Sequence, residues 1–570
     1  MRIALLQLNA RLGDPEANGR ALEAAYAKAV AVGAELVLTP ELAVPGYLAE
    51  DRMWEPGLWA RVEAEGRRLA ALSGPVPFLF GTQAPAPSRR LYNELWWCQG
   101  GGVRQVIRKR VLPTYDVFDE GRYFEPDPRP QPLVEHQGQR VGLSICEDLW
   151  ADSSLVFGAQ DYGVDPIKDL AASGATLILN ASASPGFLGS YLPPGRSASW
   201  ATPSKLAQRR TLLAGLAKGF GLPVVYASRV GAESWLLFDG GSGLMAPGGA
   251  WQGADPFFEG IVWVDTEAAG GVWPAEPGQG RYLRKALAMG LRDNLAKQGL
   301  EAVIVGLSGG IDSAVVAAMA AESIGPERVL GVALPTRFTS AESLRYAEAQ
   351  ARQLGIHFLK VDAQAPFAGA ESSLAGAFPG RSFGLTDENL QSRARGTLLM
   401  ALTTEPEVHR LLGSPRVAVL NTGNKSEAAT GYFTLYGDGI GAFGILGDCL
   451  KGRVYALARE LGDAVPREVL ERKPTAELAP GQSDEASLAP YVQLDAILGA
   501  LLEAQTPEEE MDERLGDILE GEDLRSARGH LPRILRLLRA TEFKRRQLPF
   551  NLKVSPKAFG RGRRIPLTAR

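Results

Sequence analysis

A chain of 570 residues is too long for one compact core; at roughly 150 residues per domain it implies three to four domains, or two large ones. A hydrophobic fraction of 45%, a charged fraction of 22% and a net charge of −4 exclude a disordered chain, a collagen and a coiled coil, and give no whole-chain reason to expect a nucleic-acid partner. Three scattered cysteines, Cys98, Cys146 and Cys449, cannot build a disulfide framework, and neither a signal peptide nor a membrane-length apolar run is present, so a cytoplasmic protein with no membrane partner is expected.

In chain order, short apolar β-rich runs alternate with longer stretches of helical period. The pattern predicts a strand at 2–8, a helix at 18–32, a strand at 35–39, strands at 76–81, 103–107, 141–145 and 175–180, a helix at 204–219 and a strand at 224–227. This alternation predicts an α/β layered fold. Residues 267–280 are Gly/Pro-rich and aperiodic, which predicts a domain boundary. A second series follows, with a helix at 282–298, a strand at 302–307, a helix at 313–323, a strand at 329–333, a helix at 341–354 and a strand at 357–361. Its βαβ rhythm predicts a parallel sheet with a site at the carboxyl ends of the strands. Beyond it, 503–523 is acidic and 533–570 basic, which reads as a solvated helix followed by an extended arm, or as an arm packing on another subunit.

The segment Leu307-Ser308-Gly309-Gly310-Ile311-Asp312-Ser313 joins a Val/Ile strand to an Ala-rich helix. Adjacent glycines allow close backbone approach and the free N–H groups of a helix start attract an anion, so phosphate is the natural occupant. The same residues satisfy G-x-S-x-G, but that nucleophile elbow needs a histidine, and His357, His409 and His530 have no evident catalytic setting. A glycine turn without a ligand is the plainer alternative. Asp312, Glu427 and Asp438 are carboxylates of the kind that hold Mg²⁺ against a polyphosphate, although isolated acids more often cap helices. Gly439-Ile-Gly441-Ala-Phe-Gly444 follows a polar loop and reads as a turn.

In the first half, Cys146 ends an apolar strand, Glu41 follows the strand at 35–39 and Lys109 the strand at 103–107. A cysteine in such a place is often core, and Cys98 and Cys449 read that way. Glu, Lys and Cys at three strand ends also form a plausible site, because a thiol of pKa about 8.5 needs a base and a cation to become a nucleophile near neutrality.

Ser308-Gly-Gly-Ile-Asp-Ser313 resembles the signature of ATP pyrophosphatases, which cleave ATP between the α and β phosphates. Within that group, Asp387-Glu-Asn389-Leu-Gln-Ser-Arg393-Ala-Arg395-Gly396, Thr422-Gly-Asn-Lys-Ser-Glu427, Tyr436-Gly-Asp438, Lys473-Pro-Thr-Ala-Glu477 and Gln482-Ser-Asp484-Glu485 resemble the NAD synthetases, over most of 281–566. The resemblance implies a Rossmann-like parallel-sheet domain of the adenine nucleotide alpha hydrolase-like kind, with ATP as co-substrate and Mg²⁺ as cofactor. It implies that Ser308, Gly309, Gly310, Ile311, Asp312 and Ser313 cradle pyrophosphate, that Arg395 and Thr422 contact ATP, and that Asp312 and Glu427 hold Mg²⁺. Asn389, Arg393, Glu427, Asp438 and Lys451 are the residues implied for deamido-NAD.

Residues 1–265 resemble the nitrilase superfamily, an αββα sandwich with a Glu-Lys-Cys triad. Leu112-Pro-Thr-Tyr115-Asp-Val-Phe118-Asp119-Glu120-Gly-Arg122-Tyr-Phe is similar to the glutaminase domain fused to NAD synthetases. That implies Cys146 as nucleophile on glutamine, Glu41 as general base and Lys109 beside the developing oxyanion. Glu120 is implied to orient Lys109 or the substrate amide, and Tyr47, Tyr115, Phe118 and Ser184 to line the glutamine pocket. The family's arginine after Ser184-Pro185 is replaced by Ser190, leaving Arg196 or Lys205 to hold the glutamine carboxylate. Ser228 and Val230-Gly-Ala-Glu-Ser-Trp235 also depart from the family pattern.

The combined expectation is a nitrilase-like amidase domain at 1–268, a linker at 269–280 and a synthetase domain at 281–570. Such a ligase would amidate an adenylated deamido-NAD with ammonia from glutamine, or with free ammonia, and pass ammonia internally. A homo-oligomer is implied, a dimer through the synthetase domain or an octamer. The rivals are another glutamine-fed amidotransferase or a non-catalytic adenylate-binding protein. Arg2 stands where an asparagine synthetase needs cysteine, and four scattered histidines poorly support the Cys-His-Glu glutaminase of a GMP synthetase.

Overall fold

The computed structural model describes residues 1–151, 161–473, 477–479 and 488–568. They form two compact units, Met1–Gly186 with Lys205–Glu276, and Phe187–Ser204 with Pro277–Arg570. The later break falls inside the aperiodic Gly/Pro stretch. The inclusion of Phe187–Ser204 in the second unit departs from a division at 268 and 281. Its cause is local packing: Tyr191 donates its N–H to Glu503 Oε2 at 2.7 Å, Leu188 N–H bonds Val554 O at 3.0 Å, and the Tyr191 ring joins the apolar cluster of Leu494, Leu498 and Leu515.

The strands of the first unit are β1 (Arg2–Gln7), β2 (Leu36–Leu38), β3 (Phe78–Pro85), β4 (Leu91–Cys98), β5 (Val103–Arg108), β6 (Val134–His136), β7 (Gln139–Ile145), β8 (Leu177–Ser182), β9 (Val224–Ser228), β10 (Val230–Glu233), β11 (Leu236–Asp239), β12 (Gly243–Met245), β13 (Trp251–Gly253) and β14 (Gly260–Asp265). They build two six-stranded sheets, ordered β14-β1-β2-β3-β4-β5 and β13-β12-β9-β8-β7-β6, and a small β10-β11 ribbon. Leu5, Leu38, Leu79 and Ile107 from one sheet meet Leu143, Leu179 and Val225 from the other in the inter-sheet core. The opposite faces bury against helices. Leu6, Val37 and Phe80 pack beneath α1 (Pro15–Ala31) and α2 (Pro56–Leu72), and Ile178 and Tyr226 beneath α3 (Pro166–Ala172) and α4 (Lys205–Phe220). Strands apolar on both faces are what a helix-sheet-sheet-helix sandwich requires, and the αββα expectation holds.

In the second unit, β15 (Ala302–Gly306), β16 (Val329–Ala333), β17 (His357–Lys360), β18 (Val417–Asn421) and β19 (Phe443–Gly444) form a wholly parallel sheet in the order β17-β16-β15-β18-β19. Its helices include α5 (Gln279–Gln298), α6 (Ile311–Ile324), α7 (Ala341–Leu354), α8 (Gln364–Ala377), α9 (Leu385–Leu402), α10 (Pro406–Leu412), α11 (Lys425–Thr430) and α12 (Lys451–Leu461). Strand order reverses at β15/β18, so a crevice opens beyond their carboxyl ends. The basic segment is not an extended arm from residue 533. Helix Gly521–Ala540 runs through it, burying Ala527, Ile534 and Leu538 beneath exposed arginines, and Leu552, Val554 and Ala558 are buried further on. The charge count concealed an apolar stripe of helical period. No helix among the described residues is long and apolar enough to cross a membrane.

Candidate active sites

In the first unit, the chain leaves β2 and packs Pro40–Leu42 against β3. A side chain at Gly81 would meet Leu42 N at 2.4 Å and Pro40 O at 2.5 Å, so glycine is needed for that approach. Glu41 is thereby placed 1% exposed, where Lys109, just beyond β5, reaches it: Nζ donates to Glu41 Oε1 at 2.7 Å and to the two Glu120 oxygens at 2.8 and 2.7 Å. Burial opposes the Lys109 charge, but Glu120 and Glu41 outweigh it and hold its pKa well above the usual value. Burial lifts Glu120 to about 7 against the pull of Lys109. Tyr47 donates its hydroxyl to Glu120 Oε1 at 2.7 Å, so this predicted pocket residue braces the lysine's partner.

Cys146 follows β7 with φ +44° and is 3% exposed, within electrostatic reach of Glu41, Lys109, Glu120 and Glu147. Burial first, then Glu41, pushes its pKa well above normal, while Lys109 pulls it down. Carboxylates and a lysine thus act on the Cys146 thiol in opposite directions, with burial the largest influence.

Asp148 ties the strand ends together. Buried, with its pKa lifted by burial to about 6, it accepts Ile145 N–H at 2.9 Å and the N–H groups of Arg110 and Val111, each at 3.1 Å. Sequence reasoning missed Asp148, Glu147 and Asn93. The Cys-Glu-Asp run held the signal for the first two, since acids flanking a buried cysteine need partners.

Around this cluster, Tyr115 donates to Glu147 Oε1 at 3.0 Å, and Phe118 stands edge-on to Tyr115 at 5.3 Å. The Ser184 carbonyl accepts Arg209 Nη2 at 2.7 Å. The two carboxylate-binding candidates separate. Arg196 lies in the second unit and pairs with Glu520 at 2.5 Å at the surface. Lys205 opens α4 in the first unit, buried, with Nζ 3.7 Å from the Trp150 ring centroid; burial and Arg209 lower its pKa to about 8, against Glu147 and Cys146. Cys98 and Cys449 are buried, and burial pushes their thiols up to about 12.

In the second unit, an open cavity of ≈270 Å³ occupies the β15/β18 crevice, lined by Ser308, Gly310, Ile311, Asp312, Ser313, Arg395, Thr422, Glu427, Asp438 and Lys451 among others. The loop after β15 is locked by its own hydroxyls: Ser308 N–H donates to Ser313 Oγ at 3.2 Å and Gly310 N–H to Ser308 Oγ at 3.2 Å. Gly309, φ +77°, abuts Ser343 O. With Ser308 so engaged and no histidine lining the cavity, the nucleophile-elbow alternative falls away.

Lys451 Nζ is hydrogen-bonded to Asp312 Oδ2 and lies 3.8 Å from Glu427 Oε1; these acids overcome burial and raise its pKa. Its backbone N–H donates to Ser426 Oγ at 3.0 Å, and Asp495, lifted by burial to about 7, accepts Ser426 Oγ at 2.5 Å and Gly452 N–H at 2.7 Å. The first turn of α12 is thus capped from elsewhere in the fold. Arg395, its pKa lowered by burial, donates to Leu334 O at 3.0 Å. Asp438 accepts Ser392 Oγ at 2.7 Å.

Asn389 and Arg393 share one face of α9 but are not among the cavity walls; Asn389 accepts Thr434 Oγ1 at 2.6 Å and Arg393 bonds Leu435 O at 3.2 Å. Lys544, unmarked in the sequence reading, faces Asp438 and Arg393. Glu477 bridges Ser340 and Ser343, each at 2.9 Å, whereas 474–476, Gln482, Asp484 and Glu485 lie outside the described residues.

The family model for NAD synthase matches residues 283–548 and that for carbon-nitrogen hydrolase residues 2–270. A glutamine-dependent NAD(+) synthetase of Synechocystis sp. is 36% identical over 583 residues, covering 99% of this chain and 98% of that protein. The chain belongs to the glutamine-dependent NAD(+) synthetase family. The Thermotoga maritima synthetase is 33% identical over 621 residues, covering 100% of this chain and 99% of its own. A solved glutamine-dependent NAD+ synthetase from Acinetobacter baumannii, in complex with ADP, superposes with a TM-score of 0.72 at 31% identity, covering 99% of this chain and 98% of that one. As a member of this synthetase family, the protein is a ligase that forms a carbon-nitrogen bond.

Proposed function

We propose that the first unit hydrolyses glutamine through Cys146 and that the second uses ATP to activate the nicotinate carboxylate of deamido-NAD. A carboxylate resists attack by ammonia, whereas its adenylate has AMP as a good leaving group; ammonia then gives NAD, AMP and pyrophosphate. The observation that carries this reading is the buried Lys109 between Glu41 and Glu120 within reach of Cys146, alongside a separate phosphate loop whose Asp312 meets Lys451. The first arrangement suits thioester chemistry, and the second suits a site that must neutralise a polyphosphate.

Lys205 is the residue for the glutamine α-carboxylate, being a buried cation beside Cys146. Asp312 and Glu427 are the residues to hold Mg²⁺. Their side chains are 19% and 18% exposed, and no group of three or more acidic, His or Cys side chains that could hold a metal occurs among the described residues. Two carboxylates suit an ion that keeps water and substrate phosphates as its other ligands. The ion would supply charge neutralisation to those phosphates.

The test compares nitrogen donors. Cys146→Ala should abolish AMP formation from ATP and deamido-NAD with glutamine, and leave it within about twofold with ammonium. Loss of both activities in a folded variant, or no deamido-NAD-dependent AMP from the unaltered protein, would refute the reading.

A further inference from the structure

Glu41 is held by three donors. Oε1 accepts Lys109 Nζ and Asn93 Nδ2, each at 2.7 Å, and Oε2 accepts Ala183 N–H at 3.0 Å. Asn93 lies on β4, 1% exposed, and its own carbonyl accepts the Lys109 backbone N–H at 2.9 Å. One asparagine therefore grips both the lysine's backbone and the glutamate's carboxylate. Its orientation follows from the contact: Glu41 Oε1, already accepting Lys109 Nζ, is an acceptor and faces the NH₂ end. Asn93 Oδ1 is buried without a hydrogen-bond partner, as are both amide atoms of Gln83, directly opposite on β3. The side chain thus forgoes a bond of its own while keeping the one to Glu41.

We propose that Asn93 is a positioning residue that directs the thiol proton to one oxygen of Glu41. Each carboxylate oxygen offers about two acceptor directions. Lys109 and Asn93 occupy both on Oε1, whereas Ala183 occupies one on Oε2, leaving Oε2 to receive the Cys146 proton. The S–H electron pair remains on sulfur and forms the bond to the side-chain amide carbon, Cδ, of glutamine, while the C=O π pair moves onto oxygen and returns as the tetrahedral species collapses. The C–N bond then breaks, its electrons leave with nitrogen, and the proton on Oε2 completes ammonia. Without Asn93, Oε1 also accepts protons and the carboxylate turns about Lys109.

The inference rests on Cys146 hydrolysing glutamine, so Cys146→Ala is the parallel arm. The charged or titratable groups around Glu41 are Lys109, Glu120, Cys146 and Tyr47, with Glu147 beyond Cys146 and Arg229 lining the small cavity behind Glu41. Asn93→Leu removes the donor at similar volume. Glutamine hydrolysis should lose about 10- to 100-fold in kcat, the worth of one hydrogen bond to a charged group, with KM within about twofold. Losing a donor favours the protonated carboxylate, so the acid limb of kcat/KM should move to higher pH. Asn93→Asp, which sets a second carboxylate against Oε1, should move it further. Ammonium-dependent synthesis, in the other unit, should not change.

A fall in kcat with the acid limb unmoved would assign Asn93 a merely structural role and overturn the proposal, as would an unchanged kcat. If Asn93→Leu does not fold, the limb in Asn93→Asp decides alone, and an unmoved limb overturns the proposal. Glutamine hydrolysis persisting in Cys146→Ala would instead refute the functional reading beneath it.

Discussion

Replacing Gly309 by alanine probes the phosphate loop through one backbone angle. Gly309 has φ +77°, and a Cβ there would stand 2.4 Å from Ser343 O. An L-residue in the left-handed region costs about 1–2 kcal/mol, or roughly 5- to 30-fold in an equilibrium constant. The overlap adds to this, because Ser343 O belongs to the first turn of α7 and cannot swing aside as a side chain would. Relief requires the loop to move by roughly 1 Å, a displacement that can cost about 100-fold in a positioned reaction. Gly309→Ala should therefore raise KM for ATP or lower kcat by about 10- to 100-fold, with glutamine and ammonium alike, measured as AMP release.

The matched control is Gly310→Ala. Its φ is −96°, and its Cβ would meet only the Ser308 hydroxyl at 3.2 Å. It should cost less than about fivefold, since a hydroxyl can turn. Glutamine hydrolysis should persist in both variants. Equal effects of the two substitutions, or an unchanged KM and kcat in Gly309→Ala, would refute the claim that this angle sets the ATP site.

Lys205→Met should raise KM for glutamine by about 10- to 100-fold, the loss of a charge-assisted contact, with ammonium-dependent synthesis intact, whereas Arg196→Met should change neither. An effect of Arg196→Met in place of Lys205→Met would reverse the assignment. Asp495, lifted from 3.8 to about 7 by burial, gives a pH prediction. Between about pH 4 and 7 the folded carboxyl keeps a proton that the unfolded one has lost, so its contribution favours the fold at low pH and declines as pH rises. Asp495→Asn should flatten that part of the thermal midpoint against pH, read by circular dichroism from pH 5 to 8; an unchanged slope would contradict it.

Much of both sites was legible in sequence because their elements are locally encoded. Period-2 and period-3.6 hydrophobicity marked strands and helices, and the functional groups follow strand ends at Glu41, Lys109, Cys146 and Ser308. Such patterns do not reveal which strand lies beside which. Asn93 reaches Glu41 only because β2, β3 and β4 are neighbours, and Asp148 joins segments 37 and 38 residues apart. The setting of the Cys146 thiol was illegible for a related reason: its burial, which raises its pKa, and the opposing charges of Glu41 and Lys109 come together only when the strands pack.

By itself the sequence determined the two α/β series, the family, and the residue types that can perform each half of the reaction, since motifs and periodicities reside in short stretches. Tertiary structure decided the rest. It kept Lys205 within the first unit, bound Phe187–Ser204 into the second, capped α12 with Asp495 and buried the Cys146 thiol within reach of Glu41, Lys109 and Glu120. Each of these depends on burial and on charges brought together from distant positions, quantities that arise only when the chain has closed.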